Sequence, residues 1–557
     1  MTIHFPAGAR AADGLLHDHI VRRIWDRDIS VWGAAPNSAD AKSIESRLGW
    51  LDVHRATEPE LDRVVALGEA VKAERIRAVY LLGMGGSSLC AEVLASVFGT
   101  ADGHPELFVL DTTDELTIAN AASRLEPEAT LFLVSSKSGG TVEVASLERY
   151  FWQRMTATLG QKAGRHFVAI TDPNTALQKL AEQRGYREIF VNPPDIGGRF
   201  SALSLFGLVP AALIGAPVKA IADGGRVMAD GCRQDNHANS GLELGAFIGA
   251  AVREGRDKLT VALSPRLASL GLWIEQLVAE STGKHGTGAL PVVDETLGRP
   301  DEYGSDRAFV ALATDVDAPD ADRLRAIETA GHPVLRLTMR LDALGAEFFR
   351  WEFATAVAGA VLRINPFDEP NVSEAKEKTK ALLKAYAESN ELPEPAIAAE
   401  DDSVSIISRR FSGATPGAIV RKAIDSLESG DYVAMLSYLP AASDVRDAIT
   451  EVRQGIRARA RAASTFGIGP RYLHSTGQYH KGGPNTAVAF VITADDSTST
   501  EIPDAGYTFA VLKRAQALGD AQTLEAHNRR TVRIHVKDAA RAATTIERLF
   551  AEALARR

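Results

Sequence analysis

Cysteine is nearly missing. Cys90 and Cys232 are the two in 557 residues, so neither a disulfide framework nor a CxxC metal site can be built, and a reducing compartment is the natural setting. Clean apolar spans are missing too: the uncharged run 201–218 has membrane-like length, but Pro210, Pro217 and interspersed Ser and Gly mark it as a buried helix pair. Residues 1–21 carry His and Asp where a secretion signal needs an apolar core. A cytoplasmic protein without membrane contact is therefore expected. Positive charge is not in excess either. The 62 Lys and Arg face 72 Asp and Glu, a net charge of −10, which argues against a nucleic-acid partner, since that needs a basic footprint. An anionic small molecule has to be met by a few local cations.

What the chain does have is an ordinary globular composition, 45% hydrophobic and 24% charged, which excludes disordered and collagen-like classes and leaves room for roughly two to four domains. Two loops organise it. GMGGSSL (Gly83 to Leu89) and SSKSGGT (Ser135 to Thr141) each follow a short apolar run, 78–82 and 131–134, and each leads into a helical pattern. Such runs read as buried parallel strands. A strand, a loop of small residues and a helix start make an anion site, because backbone N–H groups can approach, hydroxyls donate and the helix N-terminus adds partial positive charge. Two such loops in one sheet suggest one phosphate gripped from two sides. Neither has the spacing of the dinucleotide fingerprint or the P-loop, so a nucleotide is not the first expectation for the phosphate's owner.

Residues 1–60 are polar and helical in pattern, with Trp25, Trp32 and Trp50 placed to pack on something else, and read as an accessory arm. Residues 61–225 alternate strand and helix, with strands at 78–82, 107–110, 131–134, 167–171 and 188–191. That is a doubly wound domain with ligands expected at the carboxyl ends of its strands, near the switch point. Residues 226–387 form a second α/β unit, with strands at 259–264, 290–293, 309–313 and 334–339 and a long apolar helix over 343–364 that ends in the turn NPFDEP. A Pro- and Glu-rich connection, 388–402, precedes a third, partial α/β unit over 403–557, with strands at 432–438, 487–493 and 532–536. Within it, RYLHSTGQYHKGGPN (Arg471 to Asn485) reads as a long functional loop. The fold class expected is α/β: two doubly wound parallel-sheet domains, a helical N-terminal arm and a partial third unit.

Three further stretches carry chemistry. In GGRFS a glycine turn delivers Arg199 to the strand ends, where a guanidinium can stabilise a developing oxyanion. In WIEQLVAESTGK an apolar helix carries Glu280 to its C-terminal end, where the helix dipole disfavours a carboxylate and makes it a better base. The turn NPFDEP leads to a helix bearing Lys376, which spacing alone assigns to a solvated lysine face.

In order and rough spacing these five stretches resemble the glucose-6-phosphate isomerase family: GMGGSSL its phosphosugar loop, SSKSGGTVE its phosphate loop, GGRFS its arginine turn, AESTGK its catalytic glutamate segment and NPFDEPNVSEAK its lysine segment. The resemblance covers about residues 75–385. Over the full length, WDRDISVWG and HSTGQYHKGGPN are similar to the isomerase half of bacterial transaldolase and glucose-6-phosphate isomerase fusion proteins. The resemblance implies paired sugar-isomerase domains and a cofactor-free interconversion of glucose 6-phosphate and fructose 6-phosphate through a cis-enediolate. By motif, Gly86, Ser87, Ser136, Lys137, Ser138 and Thr141 are similar to the phosphate-binding set, with Lys137 acting through its backbone. Arg199 resembles the enediolate-stabilising arginine, Glu280 the base and Lys376 the lysine that helps open the ring.

Glu369 stands where many members have glutamine, and its extra charge needs Lys376 or another cation as partner. The family's ring-opening histidine has no matching motif between the glutamate and lysine segments, where His285 and His332 lie; His474 and His480 are the candidates, His480 being favoured. Their spacing fits no zinc pattern, and no metal or cofactor is expected. If either is right, the third unit supplies within one chain what a partner subunit usually supplies, which leaves a monomer open beside a homodimer. Two rival readings are a dual phosphoglucose and phosphomannose isomerase, because SKSGGT is similar to the loop of that branch, and a non-catalytic phosphosugar sensor, against which the joint presence of Glu280, Arg199 and Lys376 counts.

Overall fold

The short apolar runs bounded by Gly, Ser and Pro form strands in a computed structural model, which describes residues 5–393, 395–440, 442–496 and 499–555. The first sheet holds β1 (Ala78–Gly83), β2 (Glu106–Leu110), β3 (Thr130–Ser135), β4 (Phe167–Thr171) and β5 (Glu188–Val191), all parallel, in the order β2-β1-β3-β4-β5. The chain leaves β1 toward β2 and returns to β3 on the other side. The switch point therefore lies between β1 and β3, whose ends align Gly83 with Ser135.

The second sheet is parallel and four-stranded, with β6 (Lys258–Leu263), β7 (Leu290–Val292), β8 (Arg307–Thr314) and β9 (Val334–Met339) in the order β7-β6-β8-β9. The helix Leu344–Leu362 is apolar around nearly its whole circumference because neighbours surround it: helices Val218–Cys232 and Ser240–Arg253, and the N-terminal arm. Trp25 stacks on Phe349 and Phe353 at 6.1 and 6.0 Å, and the Trp32 indole donates to the carbonyl of Ala356 at 2.9 Å. Trp50 is buried against Phe200 and Phe349. Arm, first unit and second unit thus share one apolar core.

The third unit is fuller than its sequence pattern. It contains β10 (Ala399–Glu400), β11 (Val404–Ile407) and β13 (Ala463–Ile468) besides β12 (Tyr432–Ser437), β14 (Ala487–Ala494) and β15 (Arg530–Val536), giving a six-stranded mixed sheet in the order β10-β11-β15-β14-β12-β13. β10 and β11 are too short, and β13, ASTFGI, too rich in small polar residues, to stand out as apolar runs. One face has its own core. The other packs against Ala279, Leu290 and Val292 of the second unit, beside Glu280. The stretch 471–485 is not an open loop: it forms a 3-10 turn (Arg471–His474) and a short buried helix (Gly477–Gly482) wedged against the helix Leu270–Thr282. No described helix is long and apolar enough to cross a membrane.

Candidate active site

The two anion loops leave the adjacent strands β1 and β3 at the switch point. After β1 the chain makes a 3-10 turn, Gly85–Ser87, and enters the helix Leu89–Phe98; after β3, residues 136–141 lead into the helix Val142–Leu159, with Thr141 at its N-cap position. The hydroxyl of Ser135 donates to the carbonyl of Ser87 at 2.8 Å and ties the loops together, and the hydroxyls of Ser136 and Thr141 lie 3.2 Å apart. Ser138 is exposed at the rim. A Cβ on Gly86 would lie 2.0 Å from the carbonyl oxygen of Gly198, so only glycine lets the first loop meet the arginine turn. The Lys137 amine is engaged by Asp172 and by the carbonyl of Pro194, so its backbone is what it leaves to the loop.

Gly198–Phe200 forms a single 3-10 turn that buries Arg199. Its guanidinium donates to Ser281 Oγ at 2.7 Å, to the carbonyls of Pro366 and Asp368 at 2.8 and 2.9 Å, and to Glu369 Oε2 at 3.1 Å, and lies 3.6 Å from Glu280 Oε1. Glu280 sits in the last turn of the helix Leu270–Thr282 and accepts from the Gln276 amide at 3.2 Å. Burial pushes its carboxyl above the ordinary glutamate range, and Arg199, opposed by Glu369, reverses part of that. The result is a buried, raised carboxyl beside a fixed guanidinium, a combination suited to taking a proton from a carbon whose oxygen is becoming negative.

Burial raises Glu369 as well, but Arg199 and Arg47 outweigh it and hold its carboxyl below the ordinary value. Arg47 comes from the N-terminal arm and donates to Glu369 Oε1 at 3.3 Å. The same turn is fixed from below by Lys284, whose fully buried amine donates to the carbonyls of Asn365 and Asp368 at 2.7 and 2.6 Å and to Asp368 Oδ1 at 2.5 Å. Burial, aided by Arg199, brings that amine down to about 8.

The third unit reaches the same place through His474. The histidine carbonyl accepts from the Gln276 amide at 2.7 Å, and a Cβ on Gly85 would lie 2.7 Å from that oxygen, so His474 lies directly against the first anion loop. Its Nε2 is 3.0 Å from Glu143 Oε1, which also accepts from the Gln516 amide at 2.7 Å. Burial raises the Glu143 carboxyl, but His474 more than offsets it. A carboxylate at Nε2 favours the tautomer with its proton there and leaves Nδ1 able to accept or donate one.

The family model described as phosphoglucose isomerase matches residues 60–299, which span both anion loops, Arg199 and Glu280. The chain is 27% identical over 404 residues to the glucose-6-phosphate isomerase of Carboxydothermus hydrogenoformans, covering 61% of this chain and 86% of that one. With the enzyme of that name from Rubrobacter xylanophilus it shares 29% over 399 residues, covering 61% and 90%. Among solved structures, a hypothetical protein from Thermus thermophilus superposes with a TM-score of 0.58 at 25% identity, over 68% of this chain and 97% of that one. A glucose-6-phosphate isomerase from Chlamydia trachomatis gives 0.52 at 20%, over 68% and 79%, a likeness of fold.

Gly86, Ser87, Ser136, Thr141, Arg199, Glu280, Glu369 and His474 are brought together at this site. His480 is not. It is buried within the third unit, with Nδ1 2.8 Å from the Tyr432 hydroxyl and its ring stacked on Tyr432; burial lowers its basicity to about 3. Of the two histidines it is thus His474, not the favoured His480, that lies against the anion loop, because the helix Gly477–Gly482 is buried over most of its length and turns His480 into the third unit. Lys376 is exposed and makes no hydrogen bond or ion pair with a described residue, though its charge acts on Glu143. The partner of Glu369 is accordingly Arg47 with Arg199. Sequence reasoning passed over Arg47, Glu143, Gln276 and Lys284. Glu143 and Lys284 lie inside the quoted motifs SSKSGGTVE and AESTGK and could have been flagged there; Arg47 carries no local signal. Among the described residues no group of three or more His, Cys, Asp or Glu is gathered to hold a metal.

Proposed function

We propose that this chain interconverts glucose 6-phosphate and fructose 6-phosphate through a cis-enediolate, with Glu280 as the base. The observation that carries this is the Glu280 and Arg199 pair, 3.6 Å apart and buried beside two anion loops at one switch point. The phosphate sits on the hydroxyls and backbone N–H groups of Ser87, Ser136, Ser138 and Thr141, with Gly86 and the Lys137 backbone shaping the approach. This places the sugar carbons toward Glu280, which takes the proton from C2 and returns it to C1, while Arg199 holds the charge that develops on O1 and O2. His474, oriented by Glu143, opens the sugar ring by exchanging a proton at Nδ1, and Lys376, whose charge acts on Glu143, assists at the ring oxygen.

On this reading one chain carries every named group, so a monomer suffices for turnover. The test is conversion of fructose 6-phosphate by the purified chain in EDTA, beside Glu280→Gln. Loss of one positioned base costs on the order of 10² to 10⁴ in rate. A parent that binds the sugar phosphate without turning it over, or a Glu280→Gln variant with parental rate, overturns the assignment.

A further inference from the structure

A cavity of about 1010 Å³ lies away from Glu280, in the third unit. From β12 the chain passes to the edge strand β13 and then returns to β14 on the other side of β12, so this sheet has its own switch point between β12 and β14. Thr493 and Ala494 at the end of β14 and Tyr438 just after β12 line the cavity, which is the crevice where doubly wound sheets take ligands. The connection after the helix Val372–Ser389 covers it from outside.

On β15, Arg533 and His535 stand two residues apart on one face, and both line this cavity, as does Arg514 of the helix Phe509–Ala526. Lys513 and His535 are matched within the protein. Lys513 is bonded to Asp114 at 2.9 Å and to Asp496; His535 has Thr493 Oγ1 at 3.0 Å from Nδ1 and Asp495 at 3.3 Å from Nε2. Arg533 is half-buried and forms no hydrogen bond or ion pair with a described residue. Burial and, less strongly, neighbouring Arg514 disfavour its charge, and Glu525, which acts in its favour, is held by Arg409 at 3.2 Å. A partly desolvated guanidinium without a carboxylate is costly, and its planar fork matches a phosphate. The opposite lining carries the apolar surfaces of Tyr386, Leu392 and Ile397 beside the polar Asn390 and Glu391.

We propose that this cavity is a second ligand site, distinct from the isomerase site, for a phosphorylated metabolite of nucleotide size, its phosphate on Arg533 and its ring against Tyr386, Leu392 and Ile397. The volume is at the upper end of the range for small-molecule sites. The helix Phe509–Ala526 that walls the cavity also sends Gln516 to Glu143, so the two sites share an element.

The test is titration calorimetry on the full chain with ATP, AMP and inorganic phosphate, comparing the parent with Arg533→Met and Arg533→Lys. The expected result is saturable binding of ATP or AMP that weakens roughly tenfold or more in Arg533→Met and is partly recovered in Arg533→Lys, with isomerase turnover unchanged in both. If Arg533→Met fails to fold, Arg533→Lys, which keeps the charge without the fork, still must weaken binding relative to the parent. Binding that ignores both substitutions overturns the proposal. So does the absence of saturable heat with both ATP and AMP at millimolar concentration, and inorganic phosphate binding as tightly as the nucleotides overturns the nucleotide-sized class.

Discussion

Arg47→Met is the substitution that tests most directly how this site tolerates Glu369. The arm's guanidinium lies 3.3 Å from Glu369 Oε1, and the other carboxylate oxygen takes Arg199 at 3.1 Å. With Arg47 gone, the Glu369 charge falls on Arg199 alone, which then has less positive potential for an enediolate, and the excess negative charge opposes a phosphosugar dianion. At an effective dielectric of about 20, unit charges this far apart attract by about 5 kcal/mol. Both side chains are near one-third exposed, 29% and 33%, so screening and side-chain entropy reduce the useful part to about 1 to 1.5 kcal/mol. That is roughly a tenfold loss in kcat/KM, carried mostly by KM because the repulsion acts on the bound dianion throughout. The assay is fructose 6-phosphate turnover coupled to an NADP-linked dehydrogenase. The decisive comparison is the cycle with Glu369→Gln: an amide needs no counter-charge, so Arg47→Met added to Glu369→Gln costs little, and the two substitutions couple by about 1 kcal/mol. Parental kinetics in Arg47→Met, or strict additivity in the cycle, refutes the reasoning.

The pH profile of kcat/KM is expected to have an acid limb above the ordinary glutamate range, because burial raises Glu280 and the proposed base must be ionised to act; on this proposal activity is lost as pH falls through that raised value, and Glu280→Gln removes the limb with the activity. His474→Gln is expected to lower kcat on the cyclic sugar on the order of 10², whereas His480→Gln lowers the thermal midpoint through lost packing in the third unit and leaves the pH profile unchanged, which thermal denaturation and kinetics together read out. Lys284→Met leaves the Asp368 carboxylate and the Asn365 carbonyl without the Lys284 amine, while the Asp368 carbonyl keeps Arg199, and is expected to cost about 3 to 5 kcal/mol in urea unfolding.

The strands of the first two sheets were legible because the signal is local. Short apolar runs such as 78–82 and 131–134, closed by Gly and Ser, dictate a buried strand and the loop that follows it regardless of what packs on them. The anion loops, the arginine turn and the position of Glu280 at a helix end were likewise written in a few consecutive residues. β13 and the short strands β10 and β11 escaped because their residues gain strand character from neighbours in the sheet rather than from their own pattern. Which groups meet was decided elsewhere. Glu369 finds Arg47 322 residues away and Glu143 finds His474 331 residues away, and both pairs exist because the arm and the third unit dock on the central core. Consecutive residues were enough to place the strands, the anion-binding turns and the candidate base. The choice between His474 and His480, and the cation that holds Glu369, belonged to the packed molecule, because burial and charge pairing depend on what the other units bring within a few ångströms.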